Sequence, residues 1–213
     1  MNNNDIKPFY IYTNKNCLYI KNINERTDKL ANNIFSYCAN IDSNNKIHIC
    51  GIDKQGKLVH FTNDNGTWRK KIISKVFNNI RNIKEMRLHI IDDYLNVFAV
   101  ENYPLSEELY KVSHFNFTLK NSKFSRHTIN NICKNDGYFY RLNIDDSSNI
   151  VFEYKALNKS DRSSNNNILV FNNNSKKWLS PNSMLRGGCP IDLKDSNIKD
   201  DIFEYCYSIK YKI

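Results

Sequence analysis

The sequence has 213 residues, a formal net charge of +9 and a pI of about 9.2, and 40% of its residues are hydrophobic. This length and apolar content suffice to bury a core, which excludes a largely disordered chain and indicates one or two domains. No apolar run approaches the roughly 20 residues of a membrane-spanning helix, so no membrane partner is expected.

The cysteines and the amino terminus indicate the compartment. The first residues lack the basic and apolar segments of a secretory signal. Six cysteines are scattered without a Cys-x-x-Cys pair, at Cys17, Cys38, Cys50, Cys133, Cys189 and Cys206. Several lie within apolar runs, which favours buried free thiols over disulfides or a metal site. We therefore expect a cytoplasmic protein.

Short runs rich in Ile, Val, Tyr and Phe alternate with polar turns and predict β-strands throughout. The segment Ile41–Trp68 shows the pattern of an antiparallel meander, with two apolar runs joined by a Gly-containing turn. Val97–Val100 is apolar on both faces, as in a strand covered on both sides. The predicted strands are Phe9–Tyr12, Leu18–Ile23, Ile34–Ala39, Lys46–Ile52, Lys57–Phe61, Thr67–Ser74, Met86–Ile91, Asn96–Glu101, Glu108–Phe117, Phe124–Ile129, Tyr138–Asn143, Asn149–Lys155, Asn167–Phe171, Lys177–Leu179 and Ile202–Ile209.

Two sequence patterns repeat along these strands. An Ile-Asp junction followed by an apolar residue six positions after the Ile begins at Ile41, Ile91 and Ile144, at intervals of 50 and 53 residues. A degraded fourth copy lies near Ile198. Aromatic residues seven apart flank a polar turn four times, as Tyr12 and Tyr19, Phe61 and Trp68, Phe117 and Phe124, and Phe171 and Trp178. A period of about 50 residues indicates one repeated meander.

The repeat predicts an all-β fold, a small β-propeller of about four four-stranded antiparallel blades in a single domain spanning residues 1–213. The expected blades are residues 9–40 plus 202–209, 46–91, 96–143 and 149–199. The strand Ile202–Ile209 would complete the first blade and so close the ring, which removes exposed sheet edges. An open half-ring completed by dimerisation is the alternative, so we expect a monomer or a homodimer.

The residues resemble β-propeller families, either sialidase-type propellers or propeller lectins. The turn Thr62–Trp68 is similar to the Asp-box of sialidase-type propellers, Ser-x-Asp-x-Gly-x-x-Trp, but is one residue short between Gly66 and Trp68. The equivalent turn Asn172–Trp178 keeps the Trp and lacks both the Asp and the Gly. The resemblance implies an architecture and no activity.

The acidic junctions and the histidines are candidate metal ligands. A ring of the junction carboxylates could hold a cation through oxygen ligands. Capping of each turn by its own Asp is the favoured interpretation, and the junctions are Asp42, Asp92–Asp93, Asp145–Asp146 and Asp200–Asp201. No spacing of the histidines matches a metal signature, and those on predicted strands fit packed or rim positions; they are His48, His60, His89, His114 and His127. We expect no metal and no cofactor.

No pattern indicates catalytic residues. The sequence contains no GxSxG, P-loop or GxGxxG motif. Sialidases use an arginine triad and a tyrosine–glutamate pair on a six-bladed ring, whereas this chain has about four repeats and no matching arginine motif. We therefore expect a protein that is not an enzyme, with a glycan-processing, sialidase-like fragment as the alternative.

Two surfaces are candidates for binding. Trp68 and Trp178 occupy equivalent hairpin positions and, with Asn63 and Asp64, fit a sugar site with an aromatic residue and polar neighbours. The same aromatics also fit inter-blade packing, which is the favoured interpretation of the two positions. The sequence thus favours a binding or interaction module for a glycan or a protein partner.

A basic run follows the first tryptophan, and Glu85 is its only acidic neighbour. Its members are Arg69, Lys70, Lys71, Lys75, Arg81, Lys84 and Arg87. Such a face could bind an anionic polymer. A solvated blade edge is the favoured interpretation, because the run alternates with apolar residues, and nucleic acid is not expected without a recognisable module.

Overall fold

The computed structural model describes residues 9–22, 27–64, 66–103, 106–120, 123–134, 137–157 and 163–180. Within these ranges the secondary structure is entirely β, and they contain no helix long and apolar enough to cross a membrane. The strands are β1 (Phe9–Asn14), β2 (Cys17–Asn22), β3 (Thr27–Ala31), β4 (Ile34–Ile41), β5 (Ile47–Asp53), β6 (Lys57–Asp64), β7 (Thr67–Lys75), β8 (Ile83–Ile91), β9 (Tyr94–Tyr103), β10 (Ser106–Thr118), β11 (Phe124–Cys133), β12 (Tyr140–Ile144), β13 (Ile150–Leu157), β14 (Ser164–Asn172) and β15 (Lys177–Leu179).

The described residues divide into two compact units, and each is treated by itself. One unit contains residues up to 99 together with 114–127. The other contains residues 100–113 and those from 128 to 180. Strands β9, β10 and β11 each contribute residues to both units. The predicted single domain stays a prediction.

The first unit is built from antiparallel strands in sequential order. Strands β1-β2-β3 form one sheet, β4-β5-β6-β7 form a second, and β8 to β11 run side by side. The two faces of the second sheet pack into different hydrophobic clusters, because side chains alternate along a strand. One cluster joins Ile49 and Phe61 to Ile11 and Leu18 of the first sheet. The other joins the opposite face to β8, β9 and β10, and includes Cys50, Leu58, Leu88, Val97, Phe115 and Phe117.

In the second unit, β11, β13, β14 and β15 are hydrogen-bonded in that order, and β12 also pairs with β13. The fully buried aromatic side chains of Tyr140 and Phe152 stack with ring centroids 4.8 Å apart. Trp178 lies 5.2 Å from Phe171, its direct partner across β14 and β15. These aromatic contacts anchor the hairpins of the unit.

The Ile-Asp junctions are hairpin turns. In the first, Ile41 pairs directly with Ile47, and in the third, Ile144 pairs directly with Ile150. The carboxylate of Asp42 accepts hydrogen bonds from the backbone N–H of Asn44 and Lys46, both at 2.9 Å. Capping of the turn by its own Asp is therefore the structural role of this residue.

The predicted grouping of strands into blades is wrong by one strand. Residues 46–91 and 96–143 were expected to form blades, but β8 pairs with β9 and β12 pairs with β13, while β4 completes the sheet of β5, β6 and β7. A two-residue turn with Asp92 at a φ of 53° brings β8 directly onto β9. The predicted closing strand Ile202–Ile209 lies outside the described residues, so the closure and the number of blades stay predictions.

Candidate functional site

A chain of hydrogen-bonded polar groups lies on one face of the second sheet. Nδ1 of His48 is 2.9 Å from Nε2 of His60, and Nε2 of His48 is 3.2 Å from Oδ2 of Asp42. The register of β5 and β6 causes this, because His48 pairs with Thr62 and Cys50 pairs with His60. The two rings are thus diagonal neighbours on the same face and stack with centroids 5.1 Å apart.

The direction of each hydrogen bond follows from the acceptor at the end of the chain. A carboxylate only accepts, so His48 donates its Nε2–H to Asp42, and its Nδ1 then accepts the Nε2–H of His60. Burial is the main cause that lowers the pKa of His60 to about 3, with the neighbouring His48, Lys71 and Lys46 adding to it. Burial also lowers the pKa of His48, although Asp42 opposes the shift.

The carboxyl group of Asp42 is held ionised. Its burial would raise its pKa, but hydrogen bonds from the backbone of Lys46, from His48 and from the backbone of Asn44 outweigh this and lower the pKa. A carboxylate at one end therefore orients two neutral imidazoles behind it. His60 is only 1% exposed. The hydrogen-bonded groups Asp42, His48 and His60 therefore stabilise the interior of the sheet and do not contact a ligand through His60.

The polar row continues on both sides of His48. Asn40, directly opposite on β4, donates its Nδ2–H to the carbonyl of Leu88 at 2.9 Å. Thr62, opposite on β6, has a buried hydroxyl oxygen without a hydrogen-bond partner among the described residues. Asn40, His48 and Thr62 thus form a polar row across β4, β5 and β6 on a face that is otherwise apolar.

Three of the predicted ligand-binding residues lie in the β6–β7 hairpin. Asn63 pairs directly with Trp68, and the Asn63 side chain accepts a hydrogen bond from the backbone N–H of Gly66 at 2.9 Å. Asp64 forms ion pairs with Arg69 at 3.2 Å and with Lys46 at 3.7 Å. The indole of Trp68 is half-buried and packs against the cluster that contains Phe61.

Trp178, the fourth predicted residue, belongs to the second unit. It packs edge-on against Phe152, with centroids 5.7 Å apart, and against Phe171. Both tryptophans thus pack against neighbouring aromatic or apolar side chains, and the inter-blade packing role stays a prediction. Trp68 differs in that the charged pair of Asp64 and Arg69 lies on the other face of its hairpin.

The predicted basic run is divided between separate segments. Four of its members lie on β7, the edge strand of the second sheet, and all four are exposed: Arg69, Lys70, Lys71 and Lys75. Arg81 and Lys84 are exposed beyond the end of β7, while Arg87 forms an ion pair with Glu85. Only the β7 members share one strand, and they form a basic strip along its edge, with Arg69 and Lys71 on one face and Lys70 on the other. Lys71 also donates a hydrogen bond to the carbonyl oxygen of Leu119 at 3.5 Å.

The candidate metal ligands do not converge within the described ranges. No group of three or more His, Cys, Asp or Glu side chains in the described part of the chain could hold a metal ion. The junction residues Asp42 and Asp145 instead bond their own turns, and Asp200–Asp201 lie outside the described residues. Cys38 and Cys50 are buried free thiols, as predicted, and Cys17 and Cys133 are free and half-buried.

Sequence reasoning placed His48 and His60 on strands at packed positions, which the structure confirms, but missed their contact with each other and with Asp42. A signal for the contact exists in the sequence. The turn Asp53–Lys57 centres the β5–β6 hairpin on Gln55, since the backbone N–H groups of Gln55 and Lys57 both donate to the carboxylate of Asp53. A hairpin with this centre fixes the register that brings the two rings together.

No family model and no curated protein matches this sequence. Among solved structures, the chain is similar to an exo-1,5-alpha-L-arabinanase from a bovine ruminal metagenomic library, with 10% identity, a TM-score of 0.41, and coverage of 77% of this chain and 68% of that one. An alpha-L-arabinanase of Cellvibrio cellulosa complexed with arabinohexaose matches with 13% identity and a TM-score of 0.41, covering 83% and 77%. A fucose lectin of Kordia zhangzhouensis in complex with methyl-fucoside matches with 13% identity and a TM-score of 0.36, covering 68% and 96%.

The strands of the described residues confirm the predicted all-β class, and these neighbours are of β-propeller type. The sialidase-type Asp-box stays a prediction. At TM-scores between 0.36 and 0.41, the likeness assigns neither an activity nor a ligand to this chain.

The comparison contradicts the prediction that the protein is not an enzyme, because two of the three structures are arabinanases. That prediction is withdrawn. Its error lies in the use of missing motifs, since glycoside hydrolysis needs only two suitably spaced carboxyl groups, which no short sequence motif marks.

Proposed function

We propose that this protein recognises a glycan at the β6–β7 hairpin of the first unit. One observation supports the proposal above the others: at the end of one tight hairpin, the half-buried indole of Trp68 lies directly opposite Asn63 on one face, and the ion-paired carboxylate of Asp64 lies one residue further along, on the other face. Sugar sites combine an aromatic surface for the apolar face of a ring with a few polar side chains for its hydroxyl groups.

The charge environment of Asp64 fits this role. An ionised carboxylate has about four acceptor positions, and each cation occupies only part of them. Arg69 and Lys46 contact different oxygens, Oδ2 and Oδ1 respectively. The side chain is 36% exposed, so its remaining acceptor positions face solvent and can receive sugar hydroxyl groups. The two cations also fix the position of the carboxylate.

Binding to a glycan array tests the proposal, with arabino-oligosaccharides and fucosides included as probes. Wild-type protein is expected to bind at least one glycan, Trp68→Ala to lose at least tenfold in affinity, and Trp68→Phe to keep part of it, because a phenyl ring still offers an aromatic surface. Trp178→Ala is the matched control in the second unit and should bind as the wild type does. Circular dichroism establishes that each variant is folded.

The same samples are assayed for release of reducing ends, because a carboxylate in a sugar site can serve as an acid or base as well as an acceptor. Hydrolysis that disappears in Asp64→Asn while binding remains would extend the proposal to glycan processing. Absence of any glycan binding by the wild type, or unchanged binding by folded Trp68→Ala, would contradict it.

A further inference from the structure

We infer that the glycan bound at the β6–β7 hairpin is anionic and that its acidic groups lie along strand β7. This inference rests on the proposed function and names the chemical class of its ligand. The acidic groups are carboxylates or sulfates of a polysaccharide, which share the charge that the strand would recognise.

The first observation is the position of the basic side chains. Strand β7 is the edge of the second sheet, and Arg69, Lys70, Lys71 and Lys75 are all exposed on it. The side chain of Arg69 is 72% exposed. At a rise of about 3.3 Å per residue, the strip from Arg69 to Lys75 is roughly 20 Å long. Side chains alternate along a strand, so Trp68 and Lys70 project from one face of β7, and Arg69 and Lys71 project from the other. An extended ligand lying along the open edge of β7 can contact the aromatic ring and the cations of both faces.

The second observation is that these cations lack counter-charges. Arg69 pairs with Asp64, but Lys70, Lys71 and Lys75 form no ion pair with any described residue. Lys75 also lies directly opposite Lys57 on β6. Like charges directly opposite each other destabilise a sheet. An anionic ligand along β7 would relieve this repulsion, and a neutral ligand would not.

Lysines on an edge strand also prevent pairing with another sheet. That role accounts for single lysines on β7, but it does not require a second lysine opposite Lys75 on β6. Nor does it account for a strip that begins one residue after Trp68, at an arginine that is paired with Asp64.

The carboxylate of Asp64 favours a glycan over a nucleic acid. It pairs with Arg69, the first residue of the strip, and would repel the closely spaced phosphates of a nucleic-acid backbone. Sugar hydroxyl groups can donate to it while acidic groups further along the chain meet the lysines. An acidic polysaccharide supplies both kinds of group.

The test compares affinities of the full chain for polygalacturonate, a sulfated heparin-type chain and neutral arabinan. We expect one of the acidic chains to bind at least tenfold more tightly than arabinan, and its affinity to fall steeply between about 50 mM and about 200 mM salt, as contacts with several anionic groups require. Which acidic chain binds more tightly distinguishes a carboxylated from a sulfated ligand.

The variant that tests the strip is Lys70→Gln/Lys71→Gln/Lys75→Gln, which should lose at least tenfold in affinity for the acidic glycan. The control removes the same charge from exposed lysines of the first sheet and should lose less than threefold; its changes are Lys15→Gln, Lys21→Gln and Lys29→Gln.

Three outcomes overturn the inference. Equal losses in the two triple variants would show a general charge effect. Tight binding of arabinan that the β7 variant leaves unchanged would reject an anionic ligand while leaving glycan recognition intact. Preference for duplex DNA or RNA over every glycan, unaffected by Trp68→Ala, would assign the strip to nucleic acid. If no glycan binds at all, the proposed function fails with it.

Discussion

The imidazole rings of His48 and His60 are joined by a hydrogen bond of 2.9 Å in the interior of the second sheet, where both residues are at most 5% exposed. Only one proton can lie between the two nitrogens, and a neutral His48 that donates its Nε2–H to Asp42 has an unprotonated Nδ1 to accept it. Protonation of His60 would place a buried, unsolvated positive charge beside the ring of His48. The pair is therefore stable in its neutral form.

This pair predicts that the protein loses stability as the pH falls from 7 to 5. Burial lowers the pKa of His60 to about 3, below its value near 6.5 in the unfolded chain. Between these two pKa values, His60 is protonated in the unfolded state and neutral in the folded state. The contribution of His60 to stability is therefore full above pH 6.5 and is lost as the pH falls below it. At pH 5 the loss is on the order of 2 kcal/mol for His60 alone.

Urea unfolding of the wild type and of His60→Gln at pH 7 and pH 5 measures this effect. The variant should be less stable than the wild type at pH 7, because a buried hydrogen bond is disturbed, but should lose about 2 kcal/mol less on acidification. His127→Gln is the control. Burial lowers the pKa of His127 too, but the residue is only half-buried, so a smaller change is expected. Parallel pH profiles of the wild type and His60→Gln would refute the assignment.

A second prediction concerns the turn between β5 and β6. Gly56 has a φ of 75°, and a Cβ atom there would lie 1.9 Å from the carbonyl oxygen of Phe77. The carbonyl of Gly56 also accepts the backbone N–H groups of Val76 and Phe77, so neither side can move freely. Gly56→Ala should destabilise the protein by about 3 kcal/mol or more.

Gly66 is the matched control, because it has a φ of 82° but no atom within 4 Å of a Cβ position. Gly66→Ala should lower the free energy of unfolding by only the energy of a left-handed backbone at alanine, about 1–2 kcal/mol. Thermal unfolding of both variants checks the difference. Equal destabilisation would mean that the contact with Phe77 carries no cost.

The local structure was predictable because the repeated spacings are cross-strand pairs. Ile41 and Ile47 are direct partners, as are Tyr12 and Tyr19. Phe61 is an exception, since it pairs with Lys70 and not with Trp68. Within a hairpin the turn fixes the register, so short-range spacing carries the information.

The grouping of hairpins into sheets was not predictable from spacing. A meander repeats with the same period whichever strand begins the blade, so the sequence could not distinguish β8 as the last strand of one sheet from the first strand of the next. The short turn at Asp92 carries the missing information, because only two residues separate Ile91 from Tyr94. The longer connection after Lys75 lacks such a constraint.

The site was half predictable for a related reason. Trp68, Asn63 and Asp64 are neighbours in one hairpin, so their proximity followed from sequence. The ion pair of Asp64 with Lys46, the residue before β5, needed the register of the β5–β6 hairpin, in which His48 lies opposite Thr62. The same holds for the contact of His48 with His60.

A third prediction concerns Asp145 in the turn between β12 and β13. Its Oδ1 accepts the backbone N–H groups of Ser147 and Asn149, and its Oδ2 accepts the side-chain amide of Asn149 at 3.0 Å. Asp145→Ala should cost about 1–3 kcal/mol, because these donors lose their acceptor. Asp145→Asn keeps one carbonyl oxygen and should cost less.

The same variants test the cation alternative for the acidic junctions. If Asp145 serves only its own turn, addition of Ca²⁺ should leave the melting temperature of the wild type unchanged. A cation ligand would show the opposite, since a bound ion stabilises the folded state. A rise in the melting temperature with Ca²⁺ that disappears in Asp145→Asn would restore the cation site.

Two ion pairs of different burial give the last prediction. In the second unit, Glu101 is 6% exposed in its side chain and contacts Lys111 at 3.2 Å, while Ser113 donates its hydroxyl to the same carboxylate at 2.9 Å. In the first unit, Lys120 contacts Asp93 at 2.6 Å, but both side chains are at least 60% exposed. Lys111→Met leaves a buried carboxylate with only its hydroxyl donor and should lower the free energy of unfolding by about 3 kcal/mol.

Lys120→Met should lower the free energy of unfolding by at most about 1 kcal/mol, because water screens the exposed pair. The double variant Lys111→Met/Glu101→Gln should regain most of the loss in urea unfolding, since it removes the buried charge itself; a double variant as unstable as Lys111→Met would show that packing of the lysine stem, and not its charge, stabilises the site.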